Sequence, residues 1–151
     1  MGGKVPHPAD PDAQGSVRQS TRAGIKAVTT EAAPIPAAAY SQAVVAGGFI
    51  FASGQRPVDP VSGNTPEGID AQARLVMNNL RAVLQAAGTT FADAVKVEVH
   101  LANLQDFYAF NAVYTEYVTP PYPARTTVGS QLRDVLVEVD LIAVCAGRAE
   151  D

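Results

Sequence analysis

The chain has 151 residues, 47% of them hydrophobic, which suits one domain with a sizeable core. Its formal net charge is −4 and its eleven Lys and Arg residues are scattered, a pattern that argues against a nucleic-acid partner. One cysteine and two histidines provide no internal disulfide and no Cys- or His-rich metal cluster, and no apolar run is long enough to cross a bilayer, so we expect a cytoplasmic protein without a metal or a membrane partner.

Residues 1–24 are rich in Pro, Gly and polar side chains, and this composition predicts a flexible N-terminal tail. The segment has no basic-then-apolar pattern of the kind that marks a secretory leader. We expect residues 25–148 to form one domain, because no internal repeat or second linker interrupts them.

Two short apolar runs flank Gly47-Gly48 in the segment AVVAGGFIFASG (43–54), which is typical of a hairpin. Residues 56–68 are punctuated by Pro, Gly and Asn and are predicted to be a loop. The clearest helix covers residues 69–88, where apolar side chains recur at spacings of three and four and Gly88 provides a stop signal.

The segment AVKVEVHLANL (94–104) alternates between apolar and polar residues, as a half-buried strand does. The alternation assigns four apolar side chains to one sheet face: Val95, Val97, Val99 and Leu101. It assigns three polar side chains to the opposite face: Lys96, Glu98 and His100. Because no second histidine accompanies it, His100 is predicted to be a hydrogen-bonded structural residue.

A second amphipathic helix is predicted over residues 106–118, followed by strands at about 124–129 and 135–145. The element order β-β-α-β-α-β-β defines an α+β domain, a mostly antiparallel sheet with two helices on one face. Along the last strand, Glu138 and Asp140 alternate with apolar residues and fall on the face without helices. This mixture predicts burial against another subunit, so we expect an oligomer whose sheets pack together.

Arg125 is the strongest candidate for a binding residue, because it follows the stiff segment PPYPA (120–124). A guanidinium held in this way can bind a carboxylate through two parallel hydrogen bonds. The alternative is a structural salt bridge to Glu138 or Asp140. Glu138 itself lies in an apolar strand, a setting that suits proton transfer by a carboxyl group, although an outward-facing residue of an amphipathic strand is the simpler interpretation.

Three other segments carry candidate binding residues. Ser53-Gly54 ends a strand, where the glycine permits close approach of a ligand to the backbone; an ordinary bulge is the alternative. Tyr40 can close a cavity with its ring and hydroxyl, or be a partly buried aromatic residue. Asn111 lies on a helix beside Phe110, and a solvated helix residue is the alternative.

Several segments match one known pattern in order and in spacing. They are Tyr40, FASGQRPVDPVSGNTP (51–66), AQARLVMNNLRAVLQAAG (71–88), DAVKVEVHLANLQDFYAFNAVY (93–114), YPART (122–126) and VLVEVDLIAV (135–144). Together they cover nearly all of residues 29–146 and resemble the Rid family, also called the YjgF family, whose best-known branch is RidA.

The resemblance implies a chorismate-mutase-like α+β fold and a homotrimer, with the sheets packed into a central barrel and a cleft between each pair of subunits. It also implies a cytosolic, cofactor-free hydrolysis of reactive 2-enamine and 2-imine acids, such as 2-aminoacrylate and 2-iminobutanoate, to 2-keto acids and ammonia. The substrate would be a small carboxylated imine.

In RidA-like proteins the arginine after Pro-Ala binds the substrate carboxylate, and the resemblance gives this role to Arg125. It gives the role of the water-handling strand glutamate to Glu138. Five further positions are assigned to the substrate site: Tyr40, Ser53, Gly54, Asn111 and Thr127.

The chain departs from the RidA pattern next to the arginine. Thr127 stands where Cys is common, and Thr126 stands where Ser is common. These departures leave open the alternative that the protein belongs to a side branch of the family, which acts on aminomuconate-type or biosynthetic imines. Two other functions are also alternatives: a regulator that binds a small carboxylate without catalysing a reaction, and the ribonuclease activity attributed to some relatives.

Overall fold

The computed structural model describes residues 23–145. The predicted N-terminal tail therefore lies outside the described residues apart from its last two positions, and so do residues 146–148 of the predicted domain. The described residues form a six-stranded mixed sheet with two α-helices, and the predicted α+β class is confirmed.

The sheet has the strand order β1-β2-β3-β6-β4-β5. Its elements are β1 (Lys26–Val28), β2 (Ala43–Ala46), β3 (Phe49–Gln55), α1 (Ile69–Ala86), β4 (Ala94–Leu101), α2 (Phe107–Tyr114), β5 (Ala124–Gly129) and β6 (Val137–Val144). Only β4 and β5 are parallel, and the other pairings are antiparallel. Strand β1 was not predicted, because three residues are too few to show a period and its pairing with β2 is a tertiary contact.

The predicted hairpin is confirmed as β2–β3, and both residues of its turn, Gly47 and Gly48, have positive φ angles of 59° and 83°. An L-residue with a Cβ adopts this conformation at a cost, so the Gly-Gly pair fixes the turn and the register of the two strands.

The core lies between α1 and one face of the sheet. The buried side of α1 consists of Ala73, Val76, Met77, Leu80, Val83 and Leu84. The facing sheet residues include Ile50, Val97, Val99, Val139 and Leu141, each at most 1% exposed. Since a fully buried Val or Leu side chain contributes about 1.5–3 kcal/mol, this contact is the main source of stability for the helix–sheet pair.

Two buried amides of α1 hold backbone groups outside the helix. Gln72 donates to the Pro66 carbonyl at 2.9 Å and accepts from the Leu136 N–H at 2.7 Å. Asn79 donates to the carbonyls of Arg56 and Val58, both at 3.0 Å. These bonds fasten the 56–68 loop and the start of β6 to the helix.

The predicted burial of Val95 is wrong, since this side chain is 42% exposed. The pairing of β4 with β6 shifts register between Ala94 and Lys96, so residue 95 is the extra residue of a bulge and Ala94 is buried instead. The other three apolar residues assigned to this face, Val97, Val99 and Leu101, are buried as predicted.

Helix α2 ends at Tyr114, four residues earlier than predicted. The amides of Glu116 and Tyr117 donate to carbonyls only three residues back, at 3.0 Å each, so the final turn is tighter than an α-helix. Val118, the last residue of the predicted helix, is nevertheless buried.

The second face of the sheet is not covered by the helices. Phe49 and Phe51 lie there with 40% and 42% of their surface exposed, and Phe51 pairs with Ile142 of β6. We call this face, with its apolar residues and its carboxylates, the open face. Its composition agrees with the expectation of a sheet-to-sheet contact between subunits, which stays a prediction.

Among residues 23–145, no helix is both long enough and apolar enough to span a bilayer.

Candidate functional site

The side chain of Arg125 in β5 points to the helix side of the sheet, where it contacts side chains of α2. Its Nη1 donates to Asn111 Oδ1 at 2.9 Å. The guanidinium carbon lies 4.7 Å from the ring centroid of Tyr114 and 5.4 Å from that of Phe107. The charge is thus oriented by one amide and two aromatic faces, and within residues 23–145 it forms no ion pair with Glu138, Asp140 or any other carboxylate.

These side chains border a cavity of about 310 Å³, which we call the arginine cavity. Its lining consists of Asn111, Tyr114, Thr115, Tyr122, Pro123 and Arg125. The Tyr114 hydroxyl is buried and has no hydrogen-bond partner among the described residues. Burial raises the pKa of Tyr114, while the charge of Arg125 acts in the opposite direction.

A second cavity, of about 340 Å³, surrounds Glu138. We call it the glutamate cavity, and its lining consists of Ala37, Ala38, Tyr40, Ser53, Gly54, Arg56, Arg133 and Glu138. Tyr40 is half exposed at its rim. Ser53 is fixed by its own bonds, because its hydroxyl donates to the Ser41 carbonyl at 2.6 Å and its N–H donates to the Gln42 carbonyl at 3.0 Å.

Gly54 is required by the position of Glu138. A Cβ added at residue 54 would lie 3.1 Å from both Cγ and Cδ of Glu138 and would collide with its Oε1. The register of β3 against β6 also shifts between Ala52 and Gln55. A bulge and a close approach are therefore both present at this position, and the group that approaches is the carboxyl group of Glu138.

Arg125 and Glu138 lie on opposite faces of the sheet. Arg125 pairs with Val97 of β4, which is buried under the helices. Glu138 pairs with His100 of the same strand, which faces the other way. Since directly paired residues share a face, one chain cannot bring the guanidinium of Arg125 and the carboxyl of Glu138 to the same small molecule.

The structure therefore divides the predicted site residues into two groups. Asn111 joins Arg125 in the arginine cavity, and Thr127 lies on the same face of β5 without lining either cavity. The lysine of β4 confirms this orientation, because Lys96 Nζ bonds Thr126 Oγ1 at 2.9 Å on the open face. The second group lines the glutamate cavity and consists of Tyr40, Ser53, Gly54 and Glu138.

A third cluster of titratable side chains lies on the open face. Glu98, His100 and Asp140 bring potential metal-ligand atoms within 4.8 Å of one another. His100 is hydrogen-bonded, as predicted, with Nδ1 2.8 Å from Ser130 Oγ and Nε2 3.8 Å from Asp140 Oδ2. Burial raises the pKa of Asp140, and the charge of Glu98 adds to that effect.

Eight residues that line the two cavities were not predicted from the sequence, and three of them carry side chains that bear on the chemistry of the site: Arg56, Tyr114 and Arg133. Arg56 stands two positions after Gly54, which is a signal of proximity. Tyr114 lies three positions after Asn111 on the same helix, which places the two side chains on one face and is also a signal. Arg133 carries no such signal, because it lies outside the strands and helices and only the folded chain shows that it lines the cavity of Glu138.

The sequence and fold of this chain match those of known proteins. The family model described as "Endoribonuclease L-PSP" matches residues 30–145. A RutC family protein of Pyrococcus horikoshii is 45% identical over 119 residues, which cover 77% of this chain and 94% of that protein. The 2-iminobutanoate/2-iminopropanoate deaminase of Escherichia coli is 39% identical over 124 residues, which cover 79% and 97%.

Among solved structures, RidA from the Antarctic bacterium Psychrobacter superposes with a TM-score of 0.75 at 38% identity, covering 78% of this chain and 97% of that one. The chain belongs to the Rid family, which includes the RutC proteins and the imine deaminases.

Proposed function

We propose that this protein hydrolyses 2-imino acids and their 2-enamine tautomers to 2-keto acids and ammonia. The observation that carries the proposal is the guanidinium of Arg125, which borders a cavity, is oriented by Asn111 and two aromatic rings, and has no carboxylate partner within residues 23–145. A guanidinium in that state is suited to bind a carboxylate of a ligand through two hydrogen bonds. The name of the E. coli relative supports the same chemistry.

We infer that the working site lies between two copies of the chain. The two halves of the predicted site face opposite sides of one sheet, so a second copy must supply the missing half. The open face offers the apolar residues Phe49, Phe51 and Ile142 for such a contact. We propose a homotrimer, because a cyclic arrangement sets one surface of each copy against a different surface of the next and can join the arginine cavity of one copy to the glutamate cavity of its neighbour.

In the proposed reaction, Arg125 holds the substrate carboxylate and Glu138 of the adjoining copy orients a water molecule. An enamine is first converted to its imine tautomer, with one proton added at carbon and one lost from nitrogen. The water oxygen then bonds to the imine carbon, one water proton passes through Glu138 to the nitrogen, and a carbinolamine forms. The hydroxyl proton then passes through Glu138 to the amino nitrogen, the C–N bond breaks with release of ammonia, and the C=O bond of the keto acid forms. Water is the only co-reactant, so positioning and proton transfer supply the catalysis.

Arg125→Ala tests the role of the guanidinium. We expect kcat/KM for a carboxylated imine to fall about a hundredfold, which corresponds to the loss of two charge-assisted hydrogen bonds. The imine would be formed in situ from an amino acid by a pyridoxal-phosphate lyase, and keto acid release would be timed with and without the protein.

Arg81→Ala is the matched control, since Arg81 also stacks on a tyrosine ring, Tyr117, at 5.3 Å, but lies outside both cavities. It should retain activity. Unchanged turnover by Arg125→Ala, at an unchanged mass in light scattering, would exclude the assignment.

The description of the matching family model keeps an endoribonuclease as a second candidate. The net charge of −4 and the scattered basic residues give little support to an RNA partner. RNA cleavage that Arg125→Ala leaves intact would favour the ribonuclease. Carboxylate binding without turnover would favour a regulator.

A further inference from the structure

Two arginines line the glutamate cavity together with Glu138. Arg56 follows β3, and Arg133 precedes β6. The Nη2 of Arg56 donates to the backbone carbonyl of Arg133, which brings the two residues together across 77 positions of sequence. Neither arginine has a role in the reaction proposed above.

The charges of these two arginines are not neutralised by side chains nearby. Within residues 23–145, neither Arg56 nor Arg133 has a carboxylate within 4.0 Å, and Glu138 is the only acidic residue in the lining of this cavity. Two guanidiniums against one carboxylate leave the cavity with a net positive charge. An anion is therefore attracted into it, even though Glu138 alone would repel one.

Arg56 is also held in place, which distinguishes it from an ordinary solvated surface arginine. Its carbonyl accepts from the buried amide of Asn79 at 3.0 Å and from the N–H of Val58 at 2.8 Å. Its side chain is half-buried and uses one of five N–H donors on the Arg133 carbonyl. The remaining N–H donors of this guanidinium are held in place by these bonds and are free to bind a ligand.

We propose that Arg56 and Arg133 form a second anion site, which selects imino acids that carry a carboxylate on the side chain. This inference rests on the proposed function and names its substrate class as 2-imino dicarboxylic acids. Arg125 of one copy binds the carboxylate next to the imine carbon, and the arginine pair of the adjoining copy binds the distal carboxylate. Glu138 then faces the imine between the two.

The test compares two imines that differ only in the distal carboxylate. Amino-acid oxidases generate 2-iminoglutarate from glutamate and 2-iminopentanoate from norvaline, with catalase present, and the decay of each imine is followed with and without the protein. The wild-type kcat/KM should be higher for 2-iminoglutarate, and Arg133→Gln should lower the ratio of the two values roughly fivefold, as expected for one partly exposed charge pair.

Arg133→Gln is the informative change because the Arg56–Arg133 bond uses the backbone carbonyl of residue 133 and survives the substitution. Arg133→Lys should restore part of the ratio, which a purely structural role would not require. Arg81→Gln, remote from both cavities, should leave the ratio unchanged.

Calorimetry with 2-oxoglutarate and 2-oxopentanoate gives a readout that does not need turnover. Tighter binding of 2-oxoglutarate that Arg133→Gln removes would support the second anion site, even if no imine were hydrolysed and the proposed function failed. Hydrolysis of both imines with no preference for 2-iminoglutarate, or a preference that Arg133→Gln leaves unchanged, would overturn the second anion site and leave the proposed function standing.

Discussion

At the scale of single residues, the contact between Gly54 and Glu138 links a strand irregularity to a candidate catalytic group. The register of β3 against β6 shifts between Ala52 and Gln55, and the absence of a side chain at residue 54 leaves room for the carboxyl group of Glu138. The sequence predicted that this glycine permits close approach of a ligand, and that remains a prediction. The contact with Glu138 was not predicted, because the pairing of β3 with β6 joins residues more than 80 positions apart.

Gly54→Ala should move the Glu138 side chain and lower turnover by at least about tenfold, since displacement of a catalytic group by 1 Å can cost on the order of a hundredfold. The measurement is kcat/KM for a carboxylated imine, together with a crystal structure of the variant.

Gly129→Ala is the matched control. An added Cβ there would meet the Leu104 side chain at 3.3 Å, and Leu104 is exposed and free to shift. A fully active Gly54→Ala protein would show that Glu138 does not need its present position.

At the scale of elements, the open face of β4 and β6 carries charge that is partly buried in one chain. Asp140 is faced by Glu98 and His100 of β4, and Glu138 of its own strand and Lys96 act on it from further along. Because burial and the neighbouring carboxylates disfavour its ionised form, the folded-state pKa of Asp140 lies above the usual value of 3.8.

Asp140→Asn should raise the free energy of unfolding at pH 7. The folded protein binds the proton of Asp140 more tightly than the unfolded chain does, so this residue favours folding less as the pH rises through its folded-state pKa. The advantage of the variant should therefore be largest at neutral pH and vanish below pH 3.8. Thermal unfolding across this pH range gives the measurement.

Asp59→Asn provides a control of opposite sign. The backbone N–H groups of Ser62 and Val61 lower the pKa of Asp59, so its removal should reduce stability at pH 7 and have no effect at low pH. A wild type more stable than Asp140→Asn at neutral pH would contradict the assignment for Asp140.

Most elements were predictable from their periods, and the errors have local causes. Helix α1 was predictable because its apolar stripe runs for five turns, and the β2–β3 hairpin because two apolar runs flank a Gly-Gly pair, which adopts at little cost the positive φ angles of a tight turn. The bulge at Val95 was hidden, since alternation continues through it in sequence. The sequence also placed Arg125 and Glu138 on strands without revealing that they face opposite ways, because that depends on the register of each strand against β4.

At the scale of the whole molecule, the separation of Arg125 from Glu138 predicts that two defective variants can restore activity to each other in a mixed assembly. Arg125→Ala and Glu138→Gln should each retain only about one hundredth of wild-type activity alone, but mixed assemblies refolded from equal amounts should recover about one quarter of it. That fraction is the share of clefts that receive an intact arginine from one copy and an intact glutamate from the other.

The control is the double variant Arg125→Ala/Glu138→Gln, which should recover nothing when mixed with Arg125→Ala. Mixed assemblies of the two single variants that stay inactive, with exchange of subunits verified by mass spectrometry, would exclude a site shared between copies.

Helix α1 holds in place the two chain segments that supply the arginines of the glutamate cavity. Its buried amides Gln72 and Asn79 hydrogen-bond the chain just before β6 and just after β3. The two segments that carry Arg133 and Arg56 are therefore attached to the same helix. The two walls therefore keep a fixed spacing as long as helix α1 keeps its place on the core, although the helix residues that hold them lie 23 positions from Arg56 and 64 positions from Leu136 in sequence.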